Sequence, residues 1–158
     1  MMDSILKEIQ IAVPLKTAFD GFLNKLNEWW PKEYTWSQDK LKEIRIDPKK
    51  NGLCTEIGPH GFRCDWGRVT ELLGNRHIAL KWQIGPNRDP IPDPEKASNI
   101  KIDFIENGNA NTIMKFGHSG FNNHGSDAER YREMMDSKQG WDYILECFRN
   151  YCEEKLFN

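Results

Sequence analysis

The sequence lacks most patterns that would indicate a particular binding partner or cellular compartment. It contains no run of 18 apolar residues and no Asn-x-Ser/Thr acceptor, and residues 1–4 do not form a basic segment followed by an apolar one. Twenty-two Lys and Arg against 24 Asp and Glu give a net charge of -2, so the chain has no long-range field to attract a nucleic acid. We expect a cytoplasmic protein with no nucleic-acid partner and no stable membrane insertion.

Motifs for metal, phosphate or nucleophilic chemistry are also missing. The four cysteines, which we expect to be reduced, form no Cys-x-x-Cys pair, and the histidines have no ligand spacing. Neither of the glycine-rich phosphate-binding patterns occurs. Residues 117–120 resemble a nucleophile elbow, but Phe121 replaces its second glycine. The sequence therefore predicts no metal site, no cofactor and no catalytic residue.

The chain does contain enough apolar residues to form one hydrophobic core. Its 158 residues are the size of a single domain, and 38% of them are hydrophobic, including six tryptophans. A chain of this length can bury about 70% of its surface on folding. We predict one domain over residues 1–158.

The hydrophobic periodicity predicts an α+β order. Residues 5–13 alternate like a half-buried strand, and Pro14 then suits the first turn of a helix that ends near Trp29 and Trp30. Six further short strands are separated by turn residues, over 41–47, 53–58, 63–73, 77–85, 99–106 and 112–118. The connections are too short for crossover helices, so the sheet is predicted to be antiparallel.

The chain closes with a helical pattern that would cover the apolar face of this sheet. Ser126 and Glu129 have the spacing of a capping box, and a long helix is predicted over 137–154. Gly140 is a weak point in that helix and a candidate break. Residues 85–98 form the one long loop, with four prolines, and loops of this length are often lids. The prediction is one or two short helices after the first strand, and a curved sheet of six or seven strands around one long C-terminal helix.

Several short motifs fall in an order that resembles a known family. They are Val13-Pro14-Leu15, Glu28-Trp29-Trp30-Pro31, Trp66-Gly67-Arg68-Val69, Leu80-Lys81-Trp82, residues 112–118 with Gly120-Phe121, and Gly140-Trp141 with Leu145. Together, over residues 5–151, they resemble bacterial members of the family named after the activator of the heat-shock protein 90 ATPase, within the START-like or SRPBCC superfamily. The resemblance implies a helix-grip fold with a cavity between sheet and C-terminal helix, which relatives use for apolar ligands. It carries over no catalytic residues.

A set of apolar residues on the predicted inner faces is expected to line that cavity. Large aromatic rings can fill a core or wall a pocket, and methionine adapts to varied apolar shapes. The predicted lining consists of Trp66, Trp82, Phe104, Met114, Phe116, Trp141, Leu145 and Phe148. Packing in the core is the alternative for each of these residues.

Polar residues near the same faces leave alternatives open. By strand alternation His118 shares a face with Met114 and Phe116, where it is a satisfied core histidine, a donor that orients a ligand, or a catalytic group. Glu56, Asp65 and Arg68 are either solvated or turned into the cavity, depending on bulges near Gly67.

The predicted function is therefore binding of an apolar or lipid-like small molecule, without a need for catalysis. Two other classes stay open. One is an interaction protein that regulates a chaperone, although the chain has no room for the chaperone-binding domain of the eukaryotic co-chaperone. The other is a cyclase or hydrolase, which needs at least two titratable groups in the cavity.

Overall fold

The computed structural model describes residues 4–156. Residues 1–3 and 157–158, which the predicted domain over 1–158 includes, lie outside the described part. The strands are β1 Ile5–Ile11, β2 Glu43–Ile46, β3 Leu53–Ile57, β4 Arg63–Leu73, β5 His77–Trp82, β6 Ser98–Glu106 and β7 Thr112–Ser119. They form one antiparallel sheet in the order β1-β7-β6-β5-β4-β3-β2. The sheet curls into a half-barrel.

The helices lie where a helix-grip fold requires them. They are α1 Leu15–Asn24, α2 Leu26–Trp29, α3 Ala128–Met135 and α4 Trp141–Lys155. The predicted fold class is confirmed, with two short helices after the first strand and a seven-stranded sheet around the C-terminal helix. Within residues 4–156, none of the helices combines the length and apolar content needed to span a bilayer.

Strand alternation determines which side chains the sheet buries. In β1, Ile5 and Ile11 are buried while Leu6 is exposed. Pro14 follows in extended conformation at φ -61° and immediately precedes α1. Because the ring of proline fixes φ in this range, the chain leaves the strand and enters the helix without strain.

The C-terminal helical region differs from its prediction. Ser126 lies inside a 3-10 segment, Phe121–Asp127, and α3 begins at Ala128 with no side-chain capping bond from Asp127. The capping box is therefore wrong. The predicted helix over 137–154 begins only at Trp141, because Gly140 separates it from α3. A Cβ atom at Gly140 would clash with the carbonyl oxygen of Met135 and would lie 2.7 Å from that of Met134.

The core beneath the middle of α4 is solid. The ring of Phe148, on α4, lies 4.9 Å from that of Trp29 and 5.5 Å from that of Phe22. Phe22 in turn contacts Phe104 on β6 at 6.0 Å. Side chains from α1 and α2 therefore fill the space between α4 and this part of the sheet.

Candidate functional site

A cavity of about 600 Å³ opens beside the first turn of α4. Its walls come from β3, β4 and the end of β5, from residues 34–36 and 84–88, and from α3 and the turn that joins α3 to α4. Six aromatic rings line it: Trp30, Tyr34, Trp36, Trp66, Trp82 and Tyr131. Aromatic and apolar walls of this kind suit an apolar small molecule.

A β-bulge brings Trp66 into this wall. Thr55 of β3 lies opposite Asp65 of β4, but the next residue, Cys54, lies opposite Gly67, so Trp66 is the extra residue. Gly67 allows the strands to approach, because a Cβ atom there would lie 2.7 Å from the carbonyl oxygen of Lys81. The bulge near Gly67, which the sequence analysis left open, therefore places a large ring on the concave face.

Hydrogen bonds hold two other parts of the cavity wall together, α3 and the end of β5. The indole Nε1 of Trp82 donates to the hydroxyl of Tyr131 at 2.7 Å, and that hydroxyl donates to the carbonyl oxygen of Ile84 at 2.7 Å. Burial raises the pKa of Tyr131. Because the hydroxyl keeps its proton and has both roles filled, it joins α3 rigidly to the end of β5.

Glu56 is the charged residue that turns inward. Its side chain is 1% exposed and lines the cavity. One carboxylate oxygen accepts from the backbone N–H of Trp36 at 3.1 Å, and the other accepts from the backbone N–H and hydroxyl of Ser37 at 2.8 and 2.7 Å. These bonds attach residues 36–37 to the sheet.

Asp65 and Arg68 do not join Glu56. Asp65 is exposed and accepts hydrogen bonds from Thr55 at 2.7 Å and from Arg63. Arg68 donates to the carbonyl oxygen of Asn51 at 3.4 Å. Neither residue lines the cavity. The alternative in which these charged residues converge inside the cavity is therefore wrong.

Two segments meet across the mouth of the cavity. The indole Nε1 of Trp36 donates to the carbonyl oxygen of Arg88 at 2.8 Å, and the Arg88 guanidinium donates to the carbonyl oxygen of Thr35 at 3.3 Å. Arg88 adopts a φ of 65°, in the left-handed region that residues other than glycine seldom occupy. Residues 85–88 of the long loop thus form part of the rim.

Of the predicted lining residues, Trp66 and Trp82 line the cavity. The structure places the remaining apolar ones in the buried core, away from the cavity wall; these are Phe104, Met114, Phe116, Trp141, Leu145 and Phe148. The reason is geometric: α1 and α2 occupy the space beneath the middle of α4. At the first turn of α4, the ring of Trp141 packs against the sheet, 4.5 Å from that of Phe116.

His118 also lies in the core, within a chain of hydrogen bonds. Trp141 Nε1 donates to His118 Nδ1 at 2.9 Å, and since an indole nitrogen can only donate, His118 carries its proton on Nε2. That nitrogen therefore donates to the Ser98 hydroxyl oxygen at 2.7 Å, and the same hydroxyl is hydrogen-bonded to His124 Nε2 at 2.8 Å. Burial holds the pKa of His118 well below its usual value, and a proton on His124 would lower it further.

Several lining residues escaped the sequence analysis, chiefly Arg88 at the rim and the residues of α3, and that analysis left the orientation of Glu56 open. The missed helix has a usable signal, because Ala128, Tyr131 and Met135 follow one another at helical spacing. Nothing local marks Arg88, whose position depends on contacts with residues 35–36. Among residues 4–156, no His, Cys, Asp and Glu side chains group as a metal site would require.

Solved structures with the same fold include proteins of several kinds. An anthrahydroquino-gamma-pyrone synthase, Txn09, solved as a complex, is 25% identical, with a TM-score of 0.68 over 94% of this chain and 96% of its own. The self-sacrificing resistance protein CalC from Micromonospora echinospora is 21% identical, with a TM-score of 0.68 over 96% and 95%. A protein from Mesorhizobium loti is 16% identical, with a TM-score of 0.68 over 97% and 98%.

No protein-family model and no curated protein matches the sequence. The predicted relation to the activator family is therefore not confirmed at that finer level. The sheet order, the placement of the helices and the structural neighbours together support the START-like, or SRPBCC, superfamily as the group to which this fold belongs.

Proposed function

We propose that the protein binds an apolar, ring-containing small molecule in the cavity beside the first turn of α4. The observation that carries this proposal is a volume of about 600 Å³ lined by six aromatic rings. Pockets of this size and lining are typical of small-molecule sites, and aromatic walls favour flat, apolar ligands. Trp66 and Trp82 are the predicted ligand-binding residues that belong to this proposal.

The rim supports access from the side of the long loop. Met134 is 49% exposed and lines the cavity together with Arg88 and Trp36. An exposed methionine at a mouth can adapt to ligands of different shapes. We therefore propose that the ligand passes between α3 and residues 85–88.

An interaction protein that regulates a chaperone is less well supported. The exposed apolar side chains of the sheet are Leu6 on β1, Leu73 on β4 and Ile105 on β6, three strands separated from one another by β7 and β5. Scattered apolar residues are ordinary on a protein surface, whereas an interface needs a contiguous patch. Membership of the activator family also remains a prediction.

Catalysis in the same cavity is the second candidate. Glu56 and Tyr131 both line it, and one protein of the same fold is a synthase. However, the hydroxyl of Tyr131 is already engaged with Trp82 and Ile84, and burial raises its pKa. A group that keeps its proton and both its hydrogen bonds is a poor base, so binding alone is the better-supported function.

The test is a substitution on α3 that places a large side chain inside the cavity. Met135 is half-buried on α3 and lines the cavity, so Met135→Trp places a large ring in it; Glu129→Trp, on the exposed side of the same helix, is the control. We expect wild type and control to bind 2-methoxynaphthalene with similar affinity by isothermal titration calorimetry. Met135→Trp should weaken binding at least about tenfold, equivalent to about 1.4 kcal/mol. Absence of binding to the wild type, or equal binding by all three proteins, would contradict the proposal.

A further inference from the structure

We infer that the ligand carries a hydroxyl group, which donates a hydrogen bond to the Glu56 carboxylate on the wall of the cavity. This inference rests on the proposed function and deepens it by naming a chemical class: flat aromatic compounds with a free hydroxyl. It begins from the placement of a carboxylate, 1% exposed, in the wall of a cavity that six aromatic rings also line.

The first step is the charge of Glu56. Burying a carboxylate is costly unless hydrogen bonds or an opposite charge compensate it. Within residues 4–156, no lysine, arginine or histidine forms an ion pair with Glu56. Hydrogen bonds therefore compensate the cost of burying the Glu56 carboxylate, and an additional hydrogen-bond donor from a ligand would be favourable.

The second step is the remaining capacity of the carboxylate. A carboxylate offers about four lone-pair sites. The oxygen that bonds the Ser37 backbone and hydroxyl has both of its sites filled, whereas the oxygen that bonds the Trp36 N–H accepts only that one bond. One acceptor site on Glu56 is therefore left, and since the residue is 1% exposed, a ligand donor reaches it only when neighbouring side chains move aside.

The third step distinguishes a hydroxyl from an ammonium group. On the neighbouring strand, Trp66 Nε1 is buried and has no hydrogen-bond partner among residues 4–156. Glu56 lies opposite Cys64, and Trp66 stands two residues further along β4. A hydroxyl both donates and accepts, so it can pair with Glu56 and with Trp66, whereas an ammonium group can only donate. The indole nitrogen is covered by its neighbours, so this second bond requires the ring to shift when the ligand binds.

The test compares 2-naphthol with 2-methoxynaphthalene, which keeps the ring and oxygen but lacks the donor. The methyl group adds apolar area, so burial alone predicts that the methoxy compound binds more tightly. A hydrogen bond to a charged group reverses this order, and we expect the wild type to bind 2-naphthol about tenfold more tightly. The preference should disappear in Glu56→Gln and persist in Glu129→Gln, which alters an exposed carboxylate on α3 outside the cavity.

A second readout covers the case in which Glu56→Gln does not fold. The backbone amide signals of Trp36 and Ser37, whose N–H groups donate to Glu56, should shift in the wild type with 2-naphthol and much less with 2-methoxynaphthalene. Binding of both compounds with no preference and no such shift would overturn the inference and leave the proposed function standing. If neither compound bound, both the inference and the proposed function would be overturned.

Discussion

At the scale of single residues, the most informative side chain is His118. Its two ring nitrogens are hydrogen-bonded to Trp141 and Ser98, and Ser98 is in turn hydrogen-bonded to His124. Burial lowers the pKa of His118 and also that of His124, so both rings are neutral in the folded protein near pH 7. Unfolded histidines titrate near pH 6.5.

This difference predicts how stability depends on pH. Below about pH 6.5 the unfolded chain binds protons that the buried rings do not, so stability is complete above that pH and falls as the pH decreases. The expected loss is on the order of 1 kcal/mol per pH unit for His118, measured by urea unfolding between pH 7.5 and 5. His118→Gln should flatten the profile. His60→Asn, at an exposed histidine, should follow the wild type; a steep profile in His118→Gln would contradict this explanation.

The residue scale also marks a limit of the sequence analysis. Alternation correctly placed His118 on the inner face with Met114 and Phe116. It did not distinguish core from cavity wall, because that depends on how far α1 and α2 reach beneath α4. Glu56 was equally inaccessible to pattern reading, since its inward orientation and its donors arise from residues 36–37, about 20 positions earlier in the chain.

At the scale of elements, the turn between α3 and α4 decides the shape of the cavity. Gly140 lines it and allows the last carbonyls of α3 to approach the start of α4. The sequence indicated a weak point here but not a separate helix. A glycine inside a helical pattern shows where a break is possible, whereas the break itself depends on packing against Met134 and Met135.

Substitution of this glycine tests that role. Gly140→Ala introduces a Cβ atom that clashes with the backbone of α3 and should lower the free energy of unfolding by about 1–3 kcal/mol. Gly117→Ala is the control, because a Cβ atom in that position meets its nearest neighbour, the side chain of Leu6, at 3.5 Å. Chemical denaturation measures both variants. A loss in Gly140→Ala no larger than in Gly117→Ala would show that the close approach is unimportant.

At the scale of the whole molecule, the architecture was readable from the sequence because it depends on repeated local signals. Alternating strands, short connections and a late amphipathic helix constrain the chain to an antiparallel sheet that grips a helix. The position of the cavity could not be predicted from the sequence in the same way. Its position follows from the volume left between α2, α3 and the curl of the sheet, and no short segment encodes that volume.

The central claim is that a ligand binds in this cavity and not elsewhere, and the six tryptophans provide built-in probes. The indole N–H signals of wild-type protein are followed by two-dimensional NMR during titration with 2-methoxynaphthalene. Trp30, Trp36, Trp66 and Trp82 line the cavity, whereas Trp29 donates to the carbonyl oxygen of Gly21 and Trp141 to His118, both in the core. We expect the first four signals to shift most and to saturate together. Equal shifts of Trp29 and Trp141, or no shift at any indole, would contradict the account.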